Sequence, residues 1–219
     1  MKIQRVVTKH LAFELDDRFW NSQQRWVKKD IVLVFIETDN GLVGVGEGWT
    51  PGASPKALMQ TIDEDVGPRL IGQDPRYHTK IFAEVWKTTA LNARRGILSI
   101  ALSAVDLALW DLVGKALQAP VYQLLGAFTD QVLCYASAGL YGKGKDEKAL
   151  AEEMQAYVAQ GFRDVKMKVG GVSLEEDVKR VKAVRDAVGP NARLMVDANY
   201  TLNVPKSLKM AQAFEPHEI

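Results

Sequence analysis

The sequence predicts an α+β domain followed by an α/β domain of parallel β-α units, and two patterns predict it. Residues 1–47 are rich in β-branched and aromatic runs around a hairpin turn at Asp39-Asn40-Gly41, and a largely helical stretch follows. After Gly126, strand-like and helix-like segments alternate with a repeat of roughly thirty residues, the mark of parallel β-α units. The composition is that of an ordinary soluble globular chain: 219 residues, 47% hydrophobic, with a formal net charge of +1. Such a balance gives no electrostatic case for nucleic acid or an anionic membrane as a partner. Lys2 and Arg5 are followed by no apolar core of signal-peptide length, and the apolar run 97–113, broken by Asp106 and Asp111, falls short of a membrane span. The expectation is a cytoplasmic protein. Cys134, the only cysteine, leaves no internal disulfide or cysteine-rich metal site, which fits a reducing compartment.

Residues 3–13 read as a first strand, and 30–38 carry the run Ile31-Val32-Leu33-Val34-Phe35-Ile36 of a second. Asn40-Gly41 turns the chain into a third, 42–47, completing a small antiparallel sheet. Between the first two lies a polar and aromatic loop, 14–29, holding Phe19, Trp20 and Trp26. It is long for a connection inside a compact domain, which makes it a candidate lid or binding segment. A second candidate loop, 48–54, carries Trp49 and ends at Ser54, placed to cap a helix that starts at Pro55. Helices are expected over 55–66, 75–89 and 95–117. In the third, Leu98, Leu102, Val105, Leu109, Leu112 and Val113 keep the three-and-four spacing of one apolar face. Asp106 and Asp111 fall about 140° apart around that helix, so they read as polar-face or buried ion-pair partners and not as a paired site. Gly114 weakens the helix, and Pro120 follows its end.

Past Gly126 the expected order is a strand at 132–140, a helix at 146–160 and a strand holding Lys166 and Lys168. A helix then runs from an N-cap at Ser173 to Val188, with Glu175, Glu176 and Asp177 in its first turn. A strand at 193–199 and a helix over 204–214 complete the stretch. His10, His78 and His217 form no metal motif and read as surface or structural residues.

In 164–170, Val165, Met167 and Val169 face one way, and Asp164, Lys166 and Lys168 the other. Leu194, Val196 and Ala198 likewise oppose Met195, Asp197 and Asn199. The apolar faces suit a layer of covering helices, which turns the polar faces inward, as in a closed β/α barrel. An exposed face with two solvated cations is the alternative. Inside, burial and a like-charged neighbour each lower a lysine pKa, and a lysine so perturbed acts as a base near neutral pH. Lys168 and Asp197 lie about one repeat apart, each near the carboxyl end of its strand, where catalytic groups of such barrels gather. Asp197 with Asn199 offers oxygen ligands suited to Mg²⁺, and a simple Lys168–Asp197 ion pair is the other reading of the same residues.

The strands carrying Lys166-Met167-Lys168 and Val196-Asp197-Ala198-Asn199 are two of three motifs that belong together. The third is the helix Ala101-Leu102-Ser103-Ala104-Val105-Asp106-Leu107-Ala108-Leu109-Trp110-Asp111-Leu112, followed by Gly114-Lys115, Pro120 and Leu124-Leu125-Gly126. Together they resemble the mandelate racemase and muconate lactonizing branch of the enolase superfamily. The resemblance implies an α+β capping domain over 1–125 and a TIM-type, modified β/α barrel over 126–219, of which about the first three β-α units are present. It implies removal of the proton α to the carboxylate of a small acid, such as a sugar acid, through an enediolate stabilised by Mg²⁺. By position, Lys168 is the expected general base, and Lys166 lowers its pKa and lies near the substrate carboxylate. Asp197 is the first of three acidic metal ligands, and Asn199 contacts substrate or a ligand. Loops 14–29 and 48–54 hold the places of the two closing loops, with Trp20 and Trp49 against the substrate. A racemase, epimerase or sugar-acid dehydratase is preferred, a cycloisomerase is the alternative, and the full-length protein is expected to be a homo-oligomer.

A closed barrel of eight units takes roughly 250 residues. Residues 126–219 hold about three units, so the expectation is the amino-terminal part of a longer enzyme, whose other metal ligands and opposite-face acid or base lie beyond Ile219. Two further readings are an incomplete fragment or binding module completed by a partner, and a Schiff-base, aldolase-like barrel using one lysine. An uncovered parallel sheet predicts poor solubility for this stretch alone.

Overall fold

The structure, a computed structural model, describes residues 1–16, 18–50, 54–89, 91 and 95–219. In chain order the strands and helices are β1 (Ile3–Glu14), β2 (Phe19–Trp20), β3 (Lys28–Thr38), β4 (Val43–Gly48), α1 (Pro55–Gln60), α2 (His78–Thr89), α3 (Ile97–Leu117) and α4 (Val121–Leu124). They continue with β5 (Ala136–Ser137), β6 (Tyr141–Gly142), α5 (Glu147–Ala159), β7 (Asp164–Lys168), α6 (Leu174–Val188), β8 (Arg193–Asp197) and α7 (Val204–Phe214). The chain divides into two compact units, Met1–Phe13 with Lys29–Asp130, and Glu14–Lys28 with Gln131–Ile219. Apart from one segment, the first unit ends at Asp130 and the second begins at Gln131, against an expected division at residues 125 and 126. The segment Glu14–Lys28 departs from it: β2 pairs antiparallel with β6, which takes the segment out of the first domain and into the second unit.

In the first unit the strand order is β1-β3-β4, and β3 runs antiparallel to β4 with Val34 opposite Gly46 and Ile36 opposite Gly44. Val32, Val34 and Ile36, alternate residues of one face, are fully buried against helix residues such as Leu109 and Leu112. α3 lies so close on β4 that a Cβ at Gly44 or Gly46 would run into the carbonyl oxygens of Ala108 and Ala104. This seam requires glycine at both positions. By length and composition α3 is apolar enough to cross a membrane, against the reading of 97–113 as too interrupted, but half of it is buried inside the protein. A core helix accounts for the same composition.

Several boundaries differ from those expected. Residues 55–66 are helical, but the second half, Thr61–Val66, widens into a π-helical turn, and Ser54 stands at the N-cap position without a side-chain capping bond. The stretch at 75–89 begins with a 3₁₀ turn at Pro75–Tyr77, capped by the Asp74 carboxylate accepting from Arg76 N, before α2. α3 starts at Ile97, after Gly96 at φ 84°, and runs through Gly114 to Leu117, where Gln118 closes it in the left-handed region at φ 51°. Asp111 accepts from Val45 N at 2.8 Å and pairs with Lys115 at 2.7 Å. Burial raises the Asp106 carboxyl above its ordinary range, and the charge of His78 opposes that shift.

In the second unit β5, β7 and β8 form a parallel sheet in that order. Its apolar face holds Val165, Met167 and Leu194 against Leu150 and Met154 of α5, Val181 and Val184 of α6, and Phe214 of α7. The expected strand at 132–140 shrinks to β5. Val132 and Leu133 are exposed, and Gly139 at φ 60° breaks the extended run before β6 leaves the sheet for β2. α6 opens on a reciprocal cap in which Ser173 Oγ accepts from Glu176 N and the Glu176 carboxylate accepts from Ser173 N.

Candidate active site

β7 and β8 pair in register so that Lys168 lies opposite Asp197 and Lys166 opposite Met195. Alternation then puts Lys166, Lys168 and Asp197 on the face away from the helices, at the carboxyl ends of two adjacent parallel strands. Lys168 Nζ donates to Asp197 Oδ2 at 2.7 Å, and Lys166 Nζ stands 3.4 Å from the same oxygen. The lysine side chains are only 19% and 12% exposed, Lys166 and Lys168 respectively, so the solvated-face alternative does not describe them. Lys166 Nζ also donates to the Tyr135 hydroxyl at 3.3 Å and lies 5.0 Å from that ring's centroid.

The direction of the Lys166 shift is a correction. Burial pulls its ammonium down, but the hydrogen bond to Tyr135 and the charge of Asp197 outweigh burial, and its pKa is raised above the ordinary lysine value. Asp197 moves oppositely: burial raises its carboxyl, whereas Lys168, the Asn199 amide and the two lysine charges hold it below the usual carboxylate range.

β8 ends in a strained turn. Asn199 and Tyr200 both take left-handed conformations, at φ 48° and 64°. Asn199 N–H donates to Asp197 Oδ1 at 2.9 Å, while Asn199 Oδ1 is buried without a hydrogen-bond partner. One carboxylate and an orphaned amide oxygen are hard oxygen donors of the kind Mg²⁺ takes, and Mg²⁺ needs one or two carboxylates with water or substrate filling the rest. The fit is therefore that of one wall of a site, since no group of three or more His, Cys, Asp or Glu gathers among the described residues.

Trp20 is half-buried and stacks on Tyr141, with ring centroids 6.3 Å apart and planes 14° from parallel. Ser22 Oγ donates to the Ala198 carbonyl at 2.7 Å, so the candidate lid segment reaches the turn beside Asp197. Trp49 belongs to the first unit and is 55% exposed. Residues 51–53 of its loop lie outside the described residues.

Sequence reasoning missed Tyr135, Tyr141, Asp177 and Arg180. The signal for two of them was present, because Asp177 and Arg180 occupy the same helical stripe as Val181, Val184 and Val188. That stripe is the buried face of α6.

Comparison with known proteins finds two families matched in succession along the chain. The family described as mandelate racemase / muconate lactonizing enzyme, N-terminal domain, matches residues 18–126, and the one described as enolase C-terminal domain-like matches residues 149–219. The chain is 38% identical to arabinonate dehydratase of Saccharolobus solfataricus over 85% of its own length and 50% of that protein's. It is 37% identical to D-galactarolactone cycloisomerase of Agrobacterium fabrum, covering 96% of this chain and 55% of the relative. A racemase from Streptomyces coelicolor solved with bound magnesium superposes with a TM-score of 0.90 at 33% identity, covering 99% of this chain and 60% of that one. The chain spans about half the length of the curated relatives it matches.

Proposed function

Because this chain belongs to the mandelate racemase and muconate lactonizing branch of the enolase superfamily, we propose that it forms one wall of an active site that removes the proton α to a carboxylate. The observation that carries this reading is the pair of inward lysines converging on Asp197 Oδ2 at the carboxyl ends of β7 and β8. Lys168 takes the α-proton on its Nζ; the C–H bond breaks and its electron pair moves into the substrate carboxylate as an enediolate. Lys166, held by Tyr135 and Asp197, presents its ammonium to that developing charge. Asp197 would hold Mg²⁺ with Asn199 beside it, and Mg²⁺ when bound would supply positive charge where the carboxylate gains negative charge. The remaining acidic ligands and the group on the opposite face come from the rest of the barrel. The substrate is a sugar acid, a reading supported by the names of the relatives, arabinonate dehydratase and D-galactarolactone cycloisomerase, and by the polar segment 14–28 beside the β8 turn. A dehydratase or racemase outcome is preferred.

The test uses the intact enzyme in D₂O with arabinonate and galactarate, following loss of the α-proton signal by NMR. Wild-type protein with Mg²⁺ is expected to exchange the proton; EDTA and Lys168→Ala are each expected to abolish exchange while circular dichroism is unchanged. Exchange retained in Lys168→Ala would place the base elsewhere, and no exchange by the wild type with either acid would overturn the reading.

A further inference from the structure

Asp177 is completely buried in α6, yet it touches no residue of the reaction. Its carboxylate accepts from the Tyr141 hydroxyl at 2.9 Å, from Gly170 N at 2.6 Å and from Arg180 Nη1 at 2.9 Å. Arg180 in turn donates to the carbonyl of Lys168 at 2.9 Å and to that of Gly139 at 3.4 Å. Gly139 O is also where Lys168 N–H donates, at 3.1 Å. One ion pair thus grips the backbone on both sides of Lys168. The Tyr141 hydroxyl accepts from Gly171 N at 2.9 Å, and its ring carries Arg180 on one contact, 3.9 Å to the centroid, and Trp20 of the segment 14–28 on another.

Burying an ion pair costs desolvation that a hydrophobic pair would not, so stability alone is a weak account of its place here. We propose that Asp177 and Arg180 are positioning residues for Lys168, and that Tyr141 couples them to the seating of segment 14–28. Arg180 fixes the Lys168 carbonyl, Asp177 fixes Arg180 and the turn after β7, and Tyr141 bonds to Asp177 through its hydroxyl while its ring meets Trp20. When Trp20 rests on Tyr141, the strand end that carries the base is held. This inference rests on the reading of Lys168 as the base.

The test uses Tyr141→Phe, which keeps the ring and removes the hydroxyl, and Arg180→Lys, which keeps the charge opposite Asp177 and loses the fork to two carbonyls. In the intact enzyme, both are expected to lower the rate constant for α-proton exchange about 10- to 100-fold with KM changed less than about threefold, the pattern of a displaced base. Hydrogen–deuterium exchange of the backbone, which needs no substrate, is expected to quicken at Lys168 and Gly170 in both variants. Unchanged amide exchange at those two positions overturns the proposal even if the wild type is active. Faster amide exchange with an unaltered rate constant, or a loss of rate matched by a raised KM and a lowered melting temperature, also overturns it. A wild type that exchanges no α-proton removes the base reading instead, and the positioning role falls with it.

Discussion

A carboxyl group sealed from solvent is costly unless donors surround it, and Asp177 has Tyr141, Gly170 and Arg180. Asp177→Ala leaves the Arg180 guanidinium, 10% exposed, without its counter-charge, and is expected to destabilise the second unit by about 3–5 kcal/mol. Asp177→Asn, which retains an acceptor oxygen, should lose less. Urea midpoints decide: equal midpoints for wild type and Asp177→Ala would mean that the pair contributes nothing to stability. Lys166 makes the complementary point about reading single residues. Its sequence neighbourhood displays a like charge two positions away and the prospect of burial, both of which depress a lysine. The acceptors that reverse the outcome, Tyr135 and Asp197, come from flanking parts of the chain and are visible only once β7 has neighbours on both sides.

The elements that were legible in the sequence are those whose periodicity is settled by their own residues. β7 and β8 alternate cleanly because each is covered by helices on one face only, so the parity of Lys166, Lys168 and Asp197 follows from the apolar positions between them. α6 was legible in extent and cap, but the rule that favours acids in a first turn explained Asp177 without asking which face it occupies. β5 was overextended because Val132, Leu133 and Tyr135 look like strand residues, although a strand exists only where a partner offers a ladder, and the ladder to β7 begins at Ala136. β2 was missed for the converse reason: two residues are too few for a pattern, and tertiary pairing with β6 creates the strand. At the start of α2, Asp74 offers a test at this scale. The Arg76 side chain, helped by the Arg76 N–H and opposed by burial, holds the Asp74 carboxyl down at about 2. A depressed folded pKa contributes stability that is complete above the unfolded value of about 3.9 and is lost as pH falls through about 2. Wild type and Asp74→Asn should therefore melt apart at pH 6, modestly because Arg76 is 56% exposed, and converge as pH falls through about 2. A difference persisting at low pH would assign the effect to the capping bond alone.

For the whole molecule, the chain order and the division into units disagree at one place. The backbone leaves the first unit after Phe13, contributes Glu14–Lys28 to the second, and returns at Lys29. Trp20→Ala is accordingly expected to quicken amide exchange over residues 18–26 and at Tyr141 and Gly142, leaving β1 and β3 as protected as before. Loss of protection spreading into β1 and β3 would show that the segment is held by its neighbours in sequence instead. The bond from Ser22 to Ala198 also spans 176 residues. During synthesis β1 and β3 can join as soon as both have emerged, but the segment between them waits for β6 before β2 can pair, and for the end of β8 before Ser22 can bond to Ala198. Contacts of such separation close late and slowly. This stretch thus leaves the ribosome well before it acquires fixed structure, and for that interval Trp20 and Trp26 are offered to chaperones and proteases.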